Sequence, residues 1–172
     1  MALDKAEEMA ERREDNYRAA AAIKPVGDSK VEGVVNFVAD KDADGVEVKI
    51  KLSGLTPGKH GFHIHVKGDC TAPDASSAGG HFNPTGEQHG APDDEHHHVG
   101  DLGNIEADDE GKVDTTKTLH GARIDTEPTA EDDRSILGRA VIVHAGEDDL
   151  KSQPSGDAGA RVGCGVITKL EY

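Results

Sequence analysis

The sequence predicts an all-β domain over residues 29–172: a Greek-key β-sandwich or barrel with two long functional loops, preceded by a short helical or disordered extension over residues 1–28. Three observations predict it. Apolar and polar residues alternate with period two in several short runs, turn residues separate those runs, and two long stretches have no period at all.

Met1 to Ile23 is rich in Ala, Glu and Arg, has no Gly or Pro, and carries Glu8/Arg12 and Glu14/Arg18 at the i,i+4 spacing of a helix. This segment reads as an exposed helix or a frayed extension. From Lys30 the texture changes. Val46, Val48, Ile50 and Leu52 alternate with Glu47, Lys49 and Lys51, a half-buried strand, and Asp44-Gly45 is a hairpin signal linking it to the run Val31–Val38. Phe62, Ile64 and Val66 alternate with His63 and His65. Further strands are predicted within Val99–Ala107, Val113–Leu119, Ile136–His144 and Arg161–Leu170. The aperiodic stretches are Gly68–His98 and Ala145–Ala160, and loops of that length inside a compact domain usually carry function.

The 172 residues make one domain of ordinary size. Apolar residues at 34%, with 21 glycines, suffice for a core, but at 3% aromatics and no Trp that core must be filled by Val, Ile, Leu and Ala. No apolar run approaches the ~18 residues of a membrane span. The net charge of −15 repels phosphate backbones and anionic surfaces, which argues against a nucleic-acid reader. Met1 to Ile23 holds no apolar run of the usual ~7–15 residues, so no intact secretory signal is visible there.

Ten histidines make metal the first hypothesis. His63 and His65, two apart on a strand, project from one face, with Phe62 and Ile64 on the other. The first long loop then carries His81, His89, His98 and Asp101 at intervals of 8, 9 and 3 positions, among Gly and Pro residues that can bend them together. Three imidazoles and a carboxylate suit a closed tetrahedral zinc site. Of His96, His97 and His98, the Val-Gly-Asp that follows selects His98 and leaves the other two to solvent. His144 ends an apolar strand; a cap or core residue reads as well there as a ligand. Asp148 and Asp149 fit a solvated acidic pair, and Arg161 an ordinary surface salt bridge. Cys70 and Cys164, 94 positions apart, form no CxxC pair, and both two buried thiols and one long-range disulfide fit them.

Gly61-Phe62-His63-Ile64-His65, Gly79-Gly80-His81-Phe82-Asn83-Pro84, His98-Val99-Gly100-Asp101-Leu102-Gly103-Asn104 and Gly163-Cys164-Gly165-Val166-Ile167 together resemble the copper/zinc superoxide dismutase family, in correct order from about Val31 to the C-terminus. Residues 1–28 match nothing in that pattern. The family's sandwich architecture agrees with the predicted fold.

The resemblance implies an enzyme that disproportionates superoxide to O2 and H2O2 by a ping-pong Cu(II)/Cu(I) cycle. It implies copper on His63, His65, His81 and His144, and zinc on His81, His89, His98 and Asp101, with the His81 imidazolate bridging both metals. It implies that Asp148 is the carboxylate behind His63 and His89, that Arg161 stands beside the open copper position to hold the anion, and that Cys70 and Cys164 are bonded. A copper carrier or chaperone domain on the same fold is the alternative. It fits poorly, because all ligands and Arg161 are present and no CxxC module is.

Two departures bear on expectations. The loop after His144 is short, and the lysine-rich steering region of some members is reduced to Lys151. Ile136-Leu137-Gly138 and Val166-Ile167 fit the apolar patch of the eukaryotic-type homodimer, but Lys67 and Lys169 fall where that patch is commonly apolar, so the dimer is expected to be weakened or rebuilt. The implied disulfide favours the periplasm or the outside of the cell. The family also keeps its disulfide in the cytosol, so the cytoplasm stays open.

Overall fold

The computed structural model describes residues 16–40, 45–124 and 134–170. Among these residues nine strands run in sequence as β1 (Asn16–Pro25), β2 (Glu32–Asp40), β3 (Gly45–Ser53), β4 (Gly58–His65), β5 (Asp101–Ala107), β6 (Val113–His120), β7 (Ala140–His144), β8 (Arg161–Val166) and β9 (Thr168–Lys169). They pair in the order β5-β4-β7-β8-β1-β2-β3-β6, with β9 against β1, and every ladder is antiparallel. The end strands β5 and β6 are consecutive in the chain and joined by a tight turn, closed by the Asp108 N–H on the Lys112 carbonyl. The sheet therefore curls into a nearly closed barrel, and the crossings from β3 to β4 and from β6 to β7 make it a Greek key.

Inward positions alternate as period two requires. On β3, Val46, Val48, Ile50 and Leu52 are buried; they meet Phe37, Phe62, Ile105, Leu119 and Val143 in one core. β4 breaks the alternation, because every residue from His60 to His65 is buried. Phe62 and Ile64 point into the barrel, while His63 and His65 point outward beneath the two long loops. A second small cluster, Ala75, Ala78, Ala140, Ile142 and Cys164, packs the first loop on the outside of β7 and β8.

The helical reading of the N-terminal segment does not hold over Asn16–Pro25, which is a strand. Alanine is the best helix former, but propensity amounts to less than about 1 kcal/mol per residue and pairing on both sides overrides it: Ala19–Ile23 ladder with Val34–Phe37 and Gly33 of β2, while Lys24 and Pro25 reach β8. Ala19, Ala21 and Ile23 are the buried alternate set, a period of two that a run of alanines conceals. The neighbours are small for the same reason. A side chain on Gly165 would lie 2.5 Å from the Ala22 carbonyl oxygen, so β1 could not close on β8. The pairs Glu8/Arg12 and Glu14/Arg18 depend on residues outside the described ones, as does Asp44 of the hairpin signal, although β2 and β3 do pair antiparallel. Ile136 and Leu137 belong to the turn before β7, and Val99 and Gly100 to the turn before β5.

Cys70 and Cys164 are bonded, with Cα atoms 5.9 Å apart, which ties the first loop to β8 across 94 positions. In the chain-entropy model a loop of that length contributes about 4–5 kcal/mol. Replacing both cysteines by serine is expected to lower the denaturant midpoint by a large part of that amount, and an unchanged midpoint would refute it.

Candidate metal centre

Four strand positions and two loops converge on one end of the barrel wall. His63 and His65 share the outer face of β4; the register shift beside His63 sets it opposite Asp101 of β5. His144 ends β7, and another register shift beside it pairs it with Arg161 of β8. The first loop returns along β4 through a bridge between His65 and His81 and then supplies His89 and His98.

The hydrogen bonds fix which ring nitrogens are bare. His65 Nδ1 lies 2.8 Å from the Gly79 carbonyl oxygen and His144 Nδ1 3.1 Å from that of Gly159. A carbonyl only accepts, so each Nδ1 carries the proton and each Nε2 is a bare lone pair. Asp148 holds His63 through Nε2 at 2.7 Å and His89 through Nε2 at 2.8 Å, one carboxylate oxygen each. His63 Nδ1, His65 Nε2, His81 Nε2, His89 Nδ1 and His144 Nε2 are then buried without a hydrogen-bond partner. So many unpartnered ring nitrogens in one place would be costly in a protein that left them so.

They sort into two groups whose ligand atoms lie within 4.8 Å of one another: His63, His65, His81 and His144, and His81, His89, His98 and Asp101. In the second, Asp101 Oδ1 stands 2.7 Å from His81 Nδ1, 3.0 Å from His89 Nδ1 and 3.3 Å from His98 Nδ1. The His89 contact is close but poorly aligned for a hydrogen bond, as expected of two ligand atoms facing a common point. A tetrahedral ion with ligands at ~2.0–2.1 Å spaces them about 3.3 Å apart. The other oxygen of Asp101 accepts the His98 N–H at 2.9 Å and the Gly90 N–H at 3.2 Å, which aims Oδ1 inward. His81 faces both groups, Nδ1 toward Asp101 and a bare Nε2 toward the other three imidazoles. Four nitrogen donors suit copper, and three imidazoles with a carboxylate suit zinc; the residues present fit both ions.

Burial, reinforced by neighbouring imidazoles, lowers the pKa of His65, brings His144 down to about 3, and brings His81 to about 4 despite the Asp101 hydrogen bond. All three are neutral at pH 7, as metal ligands must be. His89 goes the other way. Burial opposes its charge, but the Asp101 carboxylate close to Nδ1 and the Asp148 carboxylate bonded to Nε2 outweigh that and raise it to about 9. Burial works against the charge of Asp101 and Asp148 too, yet hydrogen bonds to these histidines hold both well below the ordinary carboxylate range. Zinc taking Nδ1 of His89 must therefore displace a proton that the metal-free protein holds at pH 7–8 and loses only as the pH rises through about 9. Adding zinc to metal-free protein at pH 7.5, in weak buffer with an indicator, should release about one proton from this residue, and a release that persists undiminished at pH 10 would contradict it.

Arg161 lines a cavity of about 410 Å³ together with His65, His81, His144, Asn83 and Ser155. Its guanidinium donates to the Ala75 carbonyl at 2.8 Å and the Gly79 carbonyl at 2.7 Å. Gly79 thus takes one bond from Arg161 and one from His65, which fixes the cation relative to that ligand. Lys151 is exposed on the second loop. His96 is exposed and pairs with Glu87 at 2.9 Å, and His97 bonds the His98 carbonyl, so neither enters the cluster.

Sequence reasoning missed four residues that hold the site together. His60 is buried between the carbonyls of His144 and Thr56, at 2.8 and 2.7 Å. Asn104 grips the main chain of Asp148 with both ends of its amide, at 2.7 and 2.9 Å. Gln153 grips that of His89, and Gly156 lies against the Asp148–His89 contact. Only Asn104, inside a quoted motif, carried any sequence signal.

Comparison with known proteins agrees. The sequence pattern of the family described as copper/zinc superoxide dismutase matches residues 31–167. The chain is 45% identical to "Superoxide dismutase [Cu-Zn] 2" of Mesembryanthemum crystallinum over 157 residues, covering 87% of this chain and 94% of the relative. It is 45% identical to "Extracellular superoxide dismutase [Cu-Zn]" of Drosophila melanogaster over 145 residues, covering 81% and 76%. With "Superoxide dismutase [Cu-Zn] 1" of Debaryomyces hansenii the identity is 43% over 157 residues, covering 87% and 96%. His63, His65, His81 and His144 are accordingly the copper ligands, and His81, His89, His98 and Asp101 the zinc ligands. Barrel, donor sets and sequence agree on one assignment: the chain belongs to the copper/zinc superoxide dismutase family.

Proposed function

We propose that the protein performs its family's reaction, the disproportionation of superoxide to O2 and H2O2, with Arg161 drawing in and orienting the anion and His81 handling a proton. The observation that carries this reading is His81, whose Nδ1 belongs to the zinc group while its bare Nε2 belongs to the copper group. Copper held by His63, His65, His81 and His144 would supply one-electron redox chemistry, and zinc held by His81, His89, His98 and Asp101 would supply charge and rigidity.

The chain supplies the rest. Arg161 presents a fixed positive charge on the rim of the cavity, held by two carbonyls so that the guanidinium plane does not swing. His81 Nε2 is the ring atom able to take up a proton and pass it to the reduced substrate, because its Nδ1 is occupied on the Asp101 side. Asp148 keeps the His63 and His89 rings in one tautomer by bonding both Nε2 atoms. The net charge of −15 opposes an anionic substrate overall, so attraction is local to Arg161.

The test is metal content with activity. Protein holding one copper and one zinc and dismutating superoxide supports the reading. Protein that holds copper without activity would favour the carrier alternative.

Two finer readings accompany it. Of the expected dimer patch, Ile136, Leu137 and Ile167 are buried in the core and leave only Gly138 and Val166 to offer a partner, beside the exposed Lys67 and Lys169, so the homodimer is weak and sedimentation should show a concentration-dependent monomer–dimer equilibrium. A location outside the cytoplasm is supported by the disulfide and by the name of the Drosophila relative, and recovery of the active protein solely from cytosol would overturn it.

A further inference from the structure

We propose that Gln153 is a positioning residue for the zinc ligand His89 and that it sets how slowly zinc leaves. The inference rests on the assignment of His81, His89, His98 and Asp101 to zinc. The second long loop grips His89 twice. Asp148 holds its ring, and Gln153, just after the exposed Lys151 and Ser152, holds its main chain.

The geometry of that second grip is specific. The His89 N–H donates to Gln153 Oε1 at 2.8 Å, and Gln153 Nε2 donates back to the His89 carbonyl at 2.8 Å. The carboxamide thus imitates the edge of a β-strand. A further bond from Nε2 to the Lys151 carbonyl, at 2.9 Å, uses the remaining amide hydrogen. Turning the amide over would set its NH2 against the His89 N–H and its oxygen against two carbonyls, so one orientation is selected. Among the described residues, no other hydrogen bond is made by the main chain of His89, which lies in an irregular stretch with no strand to support it.

The loop itself is prepared to present this side chain. The Asp149 carboxylate accepts the N–H groups of Lys151 at 2.9 Å and Ser152 at 2.8 Å, and the Ser152 carbonyl accepts the Gly156 N–H at 2.7 Å. Asn104 pins the start of the loop to β5 through the main chain of Asp148. A ligand leaves a metal by swinging its whole residue as well as its ring. Zinc must stay until either grip opens, and Gln153 governs the one on the main chain.

The experiment uses the full chain, loaded with copper and zinc, and follows zinc release into a chromogenic chelator. Gln153→Met removes all three bonds at nearly constant volume. Gln153→Glu keeps the acceptor for the His89 N–H but sets an oxygen against two carbonyls. Both variants should release zinc about ten-fold faster than the parent, with the visible copper spectrum and copper retention unchanged. Glu147→Gln, in the same loop but paired only with Lys59 at the surface, should release zinc as the parent does. Amide hydrogen exchange of His89 in the metal-free protein should be faster in both Gln153 variants. Unchanged zinc release, or equal acceleration of copper and zinc loss, would overturn the proposal. A parent chain that binds no zinc refutes the metal assignment instead, and the His89 amide exchange then decides the grip by itself.

Discussion

Gly156→Ala is expected to empty the zinc position. Gly156 has φ +76°, and a Cβ there would lie 1.8 Å from Asp148 Oδ1 and 2.5 Å from His89 Nε2, inside the hydrogen bond that joins them. Neither partner can yield. Asp148 is fixed by Asn104 and by His63, and the His89 ring is buried against Asp101. The methyl group must therefore break the contact that orients a zinc ligand and, through the same carboxylate, disturb the copper ligand His63. Loss of such an orienting bond weakens metal affinity about 10- to 100-fold, and a steric clash adds to that. Gly86→Ala is the comparison, since Gly86 also has positive φ, +69°, but open space around it. It should show only the ~1–2 kcal/mol of a left-handed alanine. Metal analysis after dialysis checks both, and a Gly156→Ala protein that retains zinc like the parent would show that the loop can move aside.

Arg161→Ala is expected to lower the rate roughly ten- to a hundred-fold while copper and zinc stay bound, the scale set by local steering and orientation of a charged substrate. The guanidinium bonds two carbonyls and no ligand nitrogen, so its removal leaves the imidazoles their own acceptors, although His65 and Arg161 share that of Gly79. The parent rate should fall as salt rises, because the Debye length shrinks to about 10 Å at 0.1 M and screens the approach of the anion. In the variant that fall should vanish or turn into a rise, since salt then screens only the repulsion by a chain of net charge −15. Arg161→Lys should be intermediate, keeping the charge and losing the planar fork. If Arg161→Ala matches the parent at low salt, guidance belongs elsewhere, with the exposed Lys151 next in line.

The pattern of β3 was legible because water lies on one side and the core on the other, so alternation of Val46, Val48, Ile50 and Leu52 with charged residues records the geometry directly. β1 was not, because Ala19–Ala22 carries almost no contrast between its faces; only the neighbours β8 and β2 decide that it is extended. The outward face of β4 was legible as polar but not as buried. His63 and His65 are covered by segments distant in sequence, which no local period can report.

His63, His65, His81, His89, His98 and Asp101 were readable as candidate ligands because a metal demands particular side chains, whereas His144 joined them only through the resemblance to the family. The fold class followed from period and turns. What the tertiary structure alone decided is which atom of each ligand is free. That depends on the carbonyls of Gly79 and Gly159 for His65 and His144, and on Asp148 for His63 and His89. The grips of Asn104 and Gln153, and the close approach of Gly156 to Asp148 and His89, belong to the same category. Their partners are main-chain groups or a missing Cβ, and every residue has a main chain. Such contacts leave no mark in residue type, and only the folded chain, by bringing the second loop onto the first, selects them.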